Sequence, residues 1–390
     1  MKILVLLSRV PYPIEKGDKL RAYNFIRELS KSNEIHLFAV DDCNTKAENI
    51  EHLKQYCKTI TVVPISTFSK FFNAIVAFLK GIPLQAGFFY SKHINKIFKS
   101  KLEEIKPDHI FCQLIRVNEY VRFIDLPKTI DIQDTMSLNF GRSAKQLKSI
   151  KKYVYKFESK RLKKYEHNIF NIYDNKILIS ESDKRNYPHK NRDEIRIIPN
   201  GVDYNFFKPV EHEKTVDVIF TGNMGYIPNV DGSIFLVKEI LPILIKEKPE
   251  IRVMIAGANP HSDVKHLESK NVIITGWVED IRKCYSSAKI FIAPMRIGTG
   301  LQNKLLEAMA MQMPCITTSL ANESLKAKNN EEILIADDKT GLAKHIINLL
   351  NNEVLASKIA LNGYDFVKRN YDWTKAGDEL NNIIQSTKRK

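Results

Sequence analysis

The sequence predicts an α/β protein with two doubly wound parallel-sheet domains. The chain has 390 residues, more than one hydrophobic core usually organises. Short apolar runs alternate with helical segments through both halves, as expected when buried parallel strands alternate with crossover helices. A Pro-Asn-Gly stretch at residues 199–201 lies between the halves and is typical of a linker.

The first half contains six apolar runs that predict buried strands. In chain order they are KILVLL, EIHLFAV, TITVVPI, HIFCQL, KTIDIQ and KILIS. A helix over about residues 19–30 follows the first run, which is too short for the apolar core of a signal peptide. We therefore expect residues 1–198 to form the first domain.

The second half repeats this alternation. Its apolar runs are VDVIFTG, IRVMIAG, NVIITG, KIFIAP, PCITT and EEILIA. Helices are expected at about 228–246 and 281–287, after Gly300, at about 339–351, and from Leu355 to the end.

These elements predict that residues 199–370 form the second domain and that residues 371–390 form a helix crossing back to the first domain. Trp373 is available to pack at that boundary. Open α/β sheets bind ligands at the carboxyl ends of their strands. Two such domains facing each other would create a cleft suited to a two-substrate enzyme.

The charge and cysteine content bound the partners and the compartment. A formal net charge of +15 favours anionic partners, which could be phosphorylated substrates, an acidic membrane surface or nucleic acid. The 5 cysteines include no CxxC pair and suit a reducing compartment. No stretch predicts a transmembrane helix, because charged and helix-breaking residues interrupt the most apolar segment, residues 71–90. We expect a cytoplasmic protein.

A glycine-rich turn follows the strand KIFIAP in the second domain. Gly298 and Gly300 allow a tight turn and a close approach of the backbone to a ligand. The helix expected from Leu301 directs its first N–H groups into the turn, and Arg296 and Lys304 add two positive charges. This combination predicts a diphosphate site. The alternative is an ordinary strand-to-helix turn with two solvated cations.

Glu307 lies three residues after Lys304, on the same helical face but among apolar neighbours. A carboxylate in such surroundings needs a partner. It could accept hydrogen bonds from the hydroxyls of a nucleotide ribose, or it could form an ion pair with Lys304. The sequence leaves both interpretations open.

Metal-binding patterns are missing from the sequence. It has no Asp-x-Asp, no HExxH and no paired histidine spacing, so a metal site is unsupported.

In the first domain, KTIDIQDTMS places Asp131 and Asp134 at the end of a strand.

Two basic segments mix lysine with aromatic residues. Residues 66–101 suit an interfacial helix on anionic lipid, with a core helix pair bearing a solvated lysine edge as the alternative. Residues 145–170 predict a long, positive, amphipathic helix that extends this surface or flanks the cleft.

Five motifs together resemble the GT-B-fold retaining glycosyltransferases of family 4, also called glycosyltransferase group 1. They are IPNGVD, FTGNM, VIITGWVEDI, KIFIAPMRIGTG and KLLEAMAMQMPCITT. The resemblance covers nearly the whole chain. The stretches RVPYPIEKGDKLRAYN, GNMGYIPNVDG and GLQNKLLEAMAM are more narrowly similar to sugar transferases of bacterial exopolysaccharide gene clusters.

The resemblance implies two Rossmann-like domains across a cleft and a metal-independent transfer without a cofactor. A hexosyl or related unit would pass from a nucleoside diphosphate sugar to a hydroxyl of a glycan or lipid-linked acceptor. The anomeric configuration would be retained. The product would belong to a bacterial capsule, exopolysaccharide or O-antigen, and the enzyme would lie on the inner face of the cytoplasmic membrane.

On the donor side, Glu307 matches the ribose-binding second glutamate of the family's paired-glutamate motif, while Thr299 replaces the first. FTGNMGYIPN lacks the usual Arg and Lys, so we expect Arg296 and Lys304 to replace them at the phosphates as catalytic cations. The donor-binding residues implied in this way are Gly222, Asn223, Gly276, Trp277, Val278, Gly298, Thr299, Gly300, Leu301, Asn303 and Glu307.

On the acceptor side, the resemblance places Gly17 and Asp18 at the cleft, with Lys19 and Arg21 close behind. Asp18 could instead cap a basic first helix. Asp134 matches an acidic or histidine position near the reacting sugar, and a helix cap is its alternative role.

Two other classes of function stay open. One is a nucleotide-sugar epimerase on the same fold, and the other is a basic membrane- or nucleic-acid-binding protein without catalysis. No compact nucleic-acid motif is present, so we expect a donor sugar nucleotide, an acceptor and an anionic membrane as partners, and no nucleic acid.

Overall fold

The computed structural model describes residues 1–14, 16–41, 45–146, 150–298 and 300–387. The chain divides into two compact units. The first unit comprises residues 1–199 together with the C-terminal segment that begins at Trp373, and the second comprises Asn200–Asp372.

Within the described residues, the first unit contains a seven-stranded parallel sheet. Its strands are Lys2–Leu7 (β1), Glu34–Asp41 (β2), Thr59–Pro64 (β3), His109–Gln113 (β4), Lys128–Gln133 (β5), Asn175–Leu178 (β6) and Arg196–Ile197 (β7). The strand order is β3-β2-β1-β4-β5-β6-β7. The chain therefore starts in the interior of the sheet and winds outward in both directions, as in doubly wound folds.

Both faces of this sheet are buried. Along β1, Leu4 and Leu6 belong to one hydrophobic core, whereas Ile3, Val5 and Leu7 belong to another on the opposite face. Successive side chains of a strand point to opposite faces, so a continuous apolar run is required where helices cover both.

The first unit surrounds its sheet with helices. They are Gly17–Leu29 (α1), Ala47–Leu53 (α2), Thr67–Leu79 (α3), Leu84–Gly87 (α4), Lys92–Ile105 (α5), Asn118–Val121 (α6), Met136–Gln146 (α7), Lys151–Ile169 (α8) and Glu181–Asn186 (α9). Short 3₁₀ segments occur at Ile115–Val117, Phe170–Ile172 and Arg192–Glu194. The predicted helix over residues 145–170 is thus represented by the end of α7 and by α8.

The second unit has a parallel sheet of six strands in the part of the chain that is described. They are Val216–Thr221 (β8), Val253–Ala256 (β9), Val272–Gly276 (β10), Ala288–Ala293 (β11), Cys315–Thr317 (β12) and Leu334–Ile335 (β13). Their order is β10-β9-β8-β11-β12-β13. This unit repeats the pattern of the first, with its first strand in the interior.

The helices of the second unit follow the predicted alternation with two changes. They are Ile227–Phe235 (α10), Leu241–Glu247 (α11), Ser262–Lys265 (α12), Ile281–Ser287 (α13), Asn303–Ala310 (α14), Ser319–Leu325 (α15), Lys339–Asn351 (α16) and Glu353–Asn370 (α17). A π-helical stretch, Leu236–Ile240, separates α10 from α11, where one helix was predicted. The turn before α14 extends through Gln302, so this helix begins later than the predicted Leu301.

The last predicted helix, from Leu355 to the end, is interrupted. Val202 donates its N–H to the carbonyl of Tyr371 at 3.0 Å and forms a parallel bridge with Asp372, which draws the chain into an extended conformation. A separate helix, Trp373–Gln385 (α18), then packs on α1. A Cβ on Gly377 would lie 2.2 Å from Cβ of Glu28, so this contact between the two helices requires glycine.

Candidate functional site

The carboxyl edge of the second sheet is lined by bare backbone. Gly222 and Gly257 directly follow β8 and β9, Gly276 is the last residue of β10, and Gly298 lies in the turn after β11. Their φ values are 152°, 139°, 67° and 97°. A Cβ on Gly257 would lie 1.8 Å from the carbonyl oxygen of Gly222, so neighbouring turns touch through their main chains. Only glycine tolerates these conformations and contacts without strain, and the turns are therefore open to close approach by a ligand.

The turn between β11 and α14 has the predicted glycine geometry. Gly298 and Gly300 have φ values of 97° and 87°, and a Cβ on Gly298 would lie 3.2 Å from the ring of Pro228. The predicted donor residue Thr299 lies outside the described residues. Gln302 occupies the N-cap of α14 without a side-chain cap, so the first N–H groups of α14 have no capping hydrogen bond from this residue.

Lys304 lies in the first turn of α14 and is half-buried. Its ammonium donates to Oδ1 of Asn229, lies 3.9 Å from Sδ of Met295 and is 4.9 Å from the ring centroid of Phe220. Burial lowers the pKa of Lys304 to about 7, against the opposing charge of Glu307. Its hydrogen-bond partner Asn229 is neutral, and Glu307 acts on it through its charge without an ion-pair contact among the described residues, so the charge of Lys304 is incompletely compensated.

Glu307 lies one helical turn after Lys304. Its Oε2 accepts a hydrogen bond of 2.8 Å from the hydroxyl of Tyr285, which in turn lies 2.8 Å from Oγ1 of Thr221. Burial raises the pKa of Glu307, while Tyr285 and Lys304 act in the opposite direction. The contact partner of the carboxylate is therefore Tyr285, and the alternative of an ion pair with Lys304 is wrong.

Arg296 binds two carboxylates that lie far from it in the sequence. Its guanidinium is 2.8 Å from Asp231 and 3.1 Å from Glu239, and it lies 4.3 Å from the ring centroid of Phe235. The hydrogen bonds that Arg296 donates to the carboxylate of Asp231 are the main cause of the raised pKa of Arg296. The two expected cations thus differ, because the charge of Arg296 is already paired with carboxylates.

The remaining predicted donor residues occupy the same set of turns. Asn223 follows Gly222, and its Oδ1 accepts a 3.0 Å hydrogen bond from the N–H of Gly225. Trp277 follows Gly276 and is 69% exposed, an unusual degree of exposure for a residue of this size. The other members lie in or beside these turns and are Val278, Gly298, Gly300, Leu301 and Asn303.

In the first unit, the predicted acceptor-side residues at the start of α1 differ in solvent exposure. Gly17 is exposed and begins the helix, Lys16 is its N-cap, and Lys19 is half-buried. The carboxylate of Asp18 lies 3.1 Å from the guanidinium of Arg9, so the alternative role of Asp18 as the N-cap is wrong.

Arg21 is not an acceptor-side residue at the surface. Its side chain is 0% exposed, its Nε lies 2.8 Å from Oδ2 of Asp131, and its guanidinium lies 4.5 Å from the ring centroid of Phe25. This prediction is corrected because the guanidinium faces the interior, where it pairs with the carboxylate at the end of β5.

Asp134 follows a β-bulge at the end of β5, where Gln133 has a φ of 67°. The first turn of α7 is capped by other acids. Oδ1 of Asp183 accepts from the N–H of Thr135 at 3.2 Å, and Glu166 accepts from the N–H of Ser137 at 3.0 Å. The alternative role of Asp134 as a helix cap is therefore wrong.

Two carboxyl groups near the end of β5, those of Asp134 and Glu166, have raised pKa values. Burial and the neighbouring Asp183 raise the pKa of Asp134 to about 7, although Arg116 acts in the opposite direction. Burial also raises the pKa of Glu166 to about 7. Carboxyl groups with pKa values near neutrality occur often at functional sites, since they can bind and release protons under working conditions.

Two structural features are absent from the described ranges. No group of three or more His, Cys, Asp and Glu side chains in these ranges has an arrangement that could hold a metal ion. Within the same ranges, no helix has the length and apolar character needed to cross a membrane.

Sequence comparison identifies the second unit. Residues 215–352 match the family "Glycosyl transferases group 1". An uncharacterized 44.6 kDa protein in the cps region of Klebsiella pneumoniae is 27% identical, with 96% of this chain and 97% of that protein covered. The capsular polysaccharide biosynthesis glycosyltransferase CapM of Staphylococcus aureus is 23% identical over 47% of this chain and 50% of its own length.

Solved structures show the same fold over the whole chain. Sucrose-phosphate synthase from Thermosynechococcus elongatus has a TM-score of 0.73 at 15% identity and covers 99% of this chain and 98% of its own. HepE of Anabaena, solved with UDP and glucose, has a TM-score of 0.68 at 14% identity and covers 99% and 100%. The predicted GT-B fold is confirmed, and residues 215–352 match the glycosyl transferases group 1 family, whereas membership of family 4 stays a prediction.

Proposed function

We propose that the protein transfers a sugar from a nucleoside diphosphate sugar to a hydroxyl of a glycan or lipid-linked acceptor, with retention of configuration and without a metal. The reaction would serve the biosynthesis of a capsule or another surface polysaccharide. The glycosyl transferases group 1 domain supports the class of reaction. HepE was solved with UDP-glucose, and CapM acts in capsular polysaccharide biosynthesis by its name, which favours this donor type and pathway.

The observation that carries the proposal is the position of Lys304. Its half-buried ammonium lies beside the glycine turns and has no carboxylate ion-pair partner among the described residues. The positive charge is therefore only partly compensated within the protein. An anionic ligand would restore the balance. A diphosphate suits the position, because its several oxygens can also accept from main-chain N–H groups at the start of α14.

The same arrangement favours the reaction as well as binding. Negative charge grows on the diphosphate as the bond between the sugar C1 and the phosphate oxygen breaks. Lys304 and the N–H groups of α14 would stabilise this developing charge more than the charge of the intact donor, which lowers the barrier. Arg296 has no part in this proposal, since Asp231 and Glu239 already bind its guanidinium.

Glu307 would hold the ribose. Tyr285 fixes one carboxylate oxygen by its 2.8 Å hydrogen bond, which orients the group. The lone pairs of the carboxylate that remain could accept from two neighbouring hydroxyls, as acidic residues do in other nucleotide sites.

Acceptor binding is assigned to the first unit. The acceptor hydroxyl would attack C1 from the face that the diphosphate leaves, and its proton would pass to an oxygen of the departing diphosphate. Asp134, with a pKa near 7, would orient hydroxyls of the sugar or the acceptor.

A binding panel tests the donor assignment. In a thermal-shift panel of nucleoside diphosphates and their sugars, nucleotides with one particular base should raise the unfolding temperature, since a ligand that binds only the native state raises apparent stability. Calorimetry with that nucleotide should then show a loss of affinity of about tenfold or more in Lys304→Met. Lys344→Met, at an exposed lysine of the same unit, is the matched control. No binding across the panel, or equal affinity in Lys304→Met, would contradict the proposal.

A second assay distinguishes transfer from epimerisation. Incubation of the protein with the bound nucleotide sugar alone should give only slow hydrolysis. Accumulation of a new nucleotide sugar would instead identify an epimerase. Addition of acceptor extracts should accelerate release of the nucleoside diphosphate.

A further inference from the structure

Helix α3 presents an apolar stripe to solvent. Six large side chains at helical spacing, each between 46% and 81% exposed, are Phe68, Phe71, Phe72, Ile75, Phe78 and Leu79. Only Ala77 of this helix is buried. An apolar face of this kind on a folded protein marks an interaction site.

The start of α8 adds a second stripe beside the first. Ile150, Tyr153, Val154 and Phe157 recur at helical spacing and are between 49% and 81% exposed. Together with the six residues of α3 they form the surface that we name the α3–α8 face.

Direct contacts join the two helices. Arg161 on α8 donates hydrogen bonds to the carbonyl oxygens of Ala77 and Phe78, at 3.2 and 2.7 Å. The rings of Phe78 and Phe157 are 5.8 Å apart. The two stripes are therefore one continuous surface, fixed to the body of the first unit.

The charges around the α3–α8 face are of one sign. Helix α3 contains no acidic residue, and both acidic residues of α8, Glu158 and Glu166, are buried. The exposed charged side chains along α8 are Lys151, Lys152, Lys156, Lys160, Lys163 and Lys164. Like charges would repel a second copy of this chain on the same face, whereas an anionic partner is attracted.

A cavity next to α3 has the same character. It has a volume of about 600 Å³ and is lined by apolar side chains, among them Phe72 and the 88% exposed Phe123, together with Lys80, Lys92 and Lys99. Its lining also includes one carboxylate, Glu119, which is paired with Arg122 at 3.7 Å. Apolar surface with a cationic rim is suited to a molecule that combines hydrocarbon with negative charge.

The neighbouring helix α5 shows that a composition of lysine and apolar residues does not by itself leave the apolar side chains exposed. It is also rich in lysine, yet Phe98 is 0% and Ile94 is 2% exposed because they pack in the core. The alternative of a core helix with a lysine edge is therefore right for α5 and wrong for α3.

We propose that the α3–α8 face binds the surface of an anionic lipid bilayer. The aromatic side chains would enter the boundary between headgroups and acyl chains, while the lysines contact lipid phosphates. This inference does not rest on glycosyl transfer, and vesicle binding can be measured without any donor.

Co-sedimentation with vesicles tests the inference. We expect binding to phosphatidylcholine vesicles that contain about 30% phosphatidylglycerol, and at least about tenfold weaker binding to pure phosphatidylcholine. Phe71→Ser with Leu79→Ser should reduce binding to the anionic vesicles by at least about tenfold. The matched control is Val354→Ser with Leu361→Ser, at residues of α17 that are 82% and 55% exposed, and it should bind like the unmodified protein.

A charge variant tests the same face independently. Lys151→Glu with Lys152→Glu and Lys156→Glu should weaken binding to anionic vesicles and reduce its salt dependence. Thermal unfolding should show that both sets of variants are folded. The inference would be overturned if the protein bound neither vesicle type, or bound both equally. It would also be overturned if the protein formed a dimer through this face, so that Phe71→Ser with Leu79→Ser dissociated the dimer and the charge variant did not.

Discussion

The two units share an architecture but differ in the residues that lie near the carboxyl ends of their strands. Both sheets are parallel and begin with an interior strand, β1 in one and β8 in the other. The edge of the second unit has glycine turns and a half-buried lysine, Lys304, whereas the first has the carboxyl groups of Asp134, Glu166 and Asp183. The strand order thus determines where a site lies, and the turn residues determine its charge.

Burial changes the pKa values at the two edges in opposite directions. It lowers the pKa of Lys304 to about 7 and raises that of Asp134 to about 7. Both groups therefore exchange protons near neutrality, and each would gain charge when a partner of opposite charge binds. The comparison suggests a division of labour in which the second unit holds phosphate and the first contacts hydroxyls.

The largest expected effect separates Lys304 from Arg296. Lys304→Met should lower kcat by about 10²–10³, because a cation at the developing diphosphate charge stabilises the transition state. Arg296→Gln should lower it by less than about threefold, since its guanidinium already binds Asp231 and Glu239. Steady-state release of the nucleoside diphosphate with acceptor provides the measurement. A larger loss in Arg296→Gln than in Lys304→Met would reverse our assignment.

A second substitution tests the first unit. Asp134→Asn should lower kcat by about 10–10² while the Kd for the nucleoside diphosphate stays unchanged, because Asp134 belongs to the acceptor side of the proposal. Asp193→Asn, at an exposed carboxylate of the same unit, serves as the control. If Asp134→Asn weakened nucleotide binding as much as catalysis, the proposed division between units would be wrong.

A third experiment uses the lowered pKa of Lys304. A bound diphosphate should raise this pKa from about 7, so binding above pH 7 takes up a proton. Affinity should then fall by about tenfold as pH rises by somewhat more than one unit above neutrality. Calorimetry in two buffers of different ionisation enthalpy measures the proton uptake. Lys304→Met should abolish it, and equal uptake in that variant would exclude Lys304 as the source.

The smallest expected effect concerns stability. The pKa of Asp134 is about 7 in the folded protein, above its ordinary value of 3.8, so the folded state loses stability as pH rises from 3.8 to about 7 and bears the full cost above that. Asp134→Asn removes this cost and should raise the free energy of unfolding at pH 8 by at least about 1 kcal/mol. The gain should disappear near pH 4. Urea unfolding at both pH values is the measurement, and a variant less stable at pH 8 would contradict the raised pKa.

Much of the fold could be predicted because buried parallel strands require continuous apolar runs. The runs KILVLL and KTIDIQ coincide with β1 and β5 residue for residue. The two-residue strand β7 was missed, since a pair of residues has no detectable periodicity. The predicted boundary between residues 370 and 371 lies close to the break of the final helix at Asp372, but the prediction of one helix from Leu355 to the end did not include this break, because it depends on pairing with the distant Val202.

The site was predicted in part for a similar reason. The glycine turn and the proximity of Lys304 and Glu307 follow from local spacing. The partners of Arg296 do not, since Asp231 lies on α10 and Glu239 on the π-helical stretch that follows it. Tyr285, which orients Glu307, lies on a third element. Motif resemblance identified the turn, but only the tertiary structure shows which charges are already paired.

The position of α18 has a consequence for synthesis of the protein. Trp373, Leu380 and Ile384 belong to the hydrophobic core on one face of the first sheet, yet they follow the whole second unit in the chain. All strands and helices of the second unit emerge before them. The first unit therefore cannot complete its core until the second unit has been translated, and a chain truncated after Asp372 would expose the apolar side of α1 to aggregation.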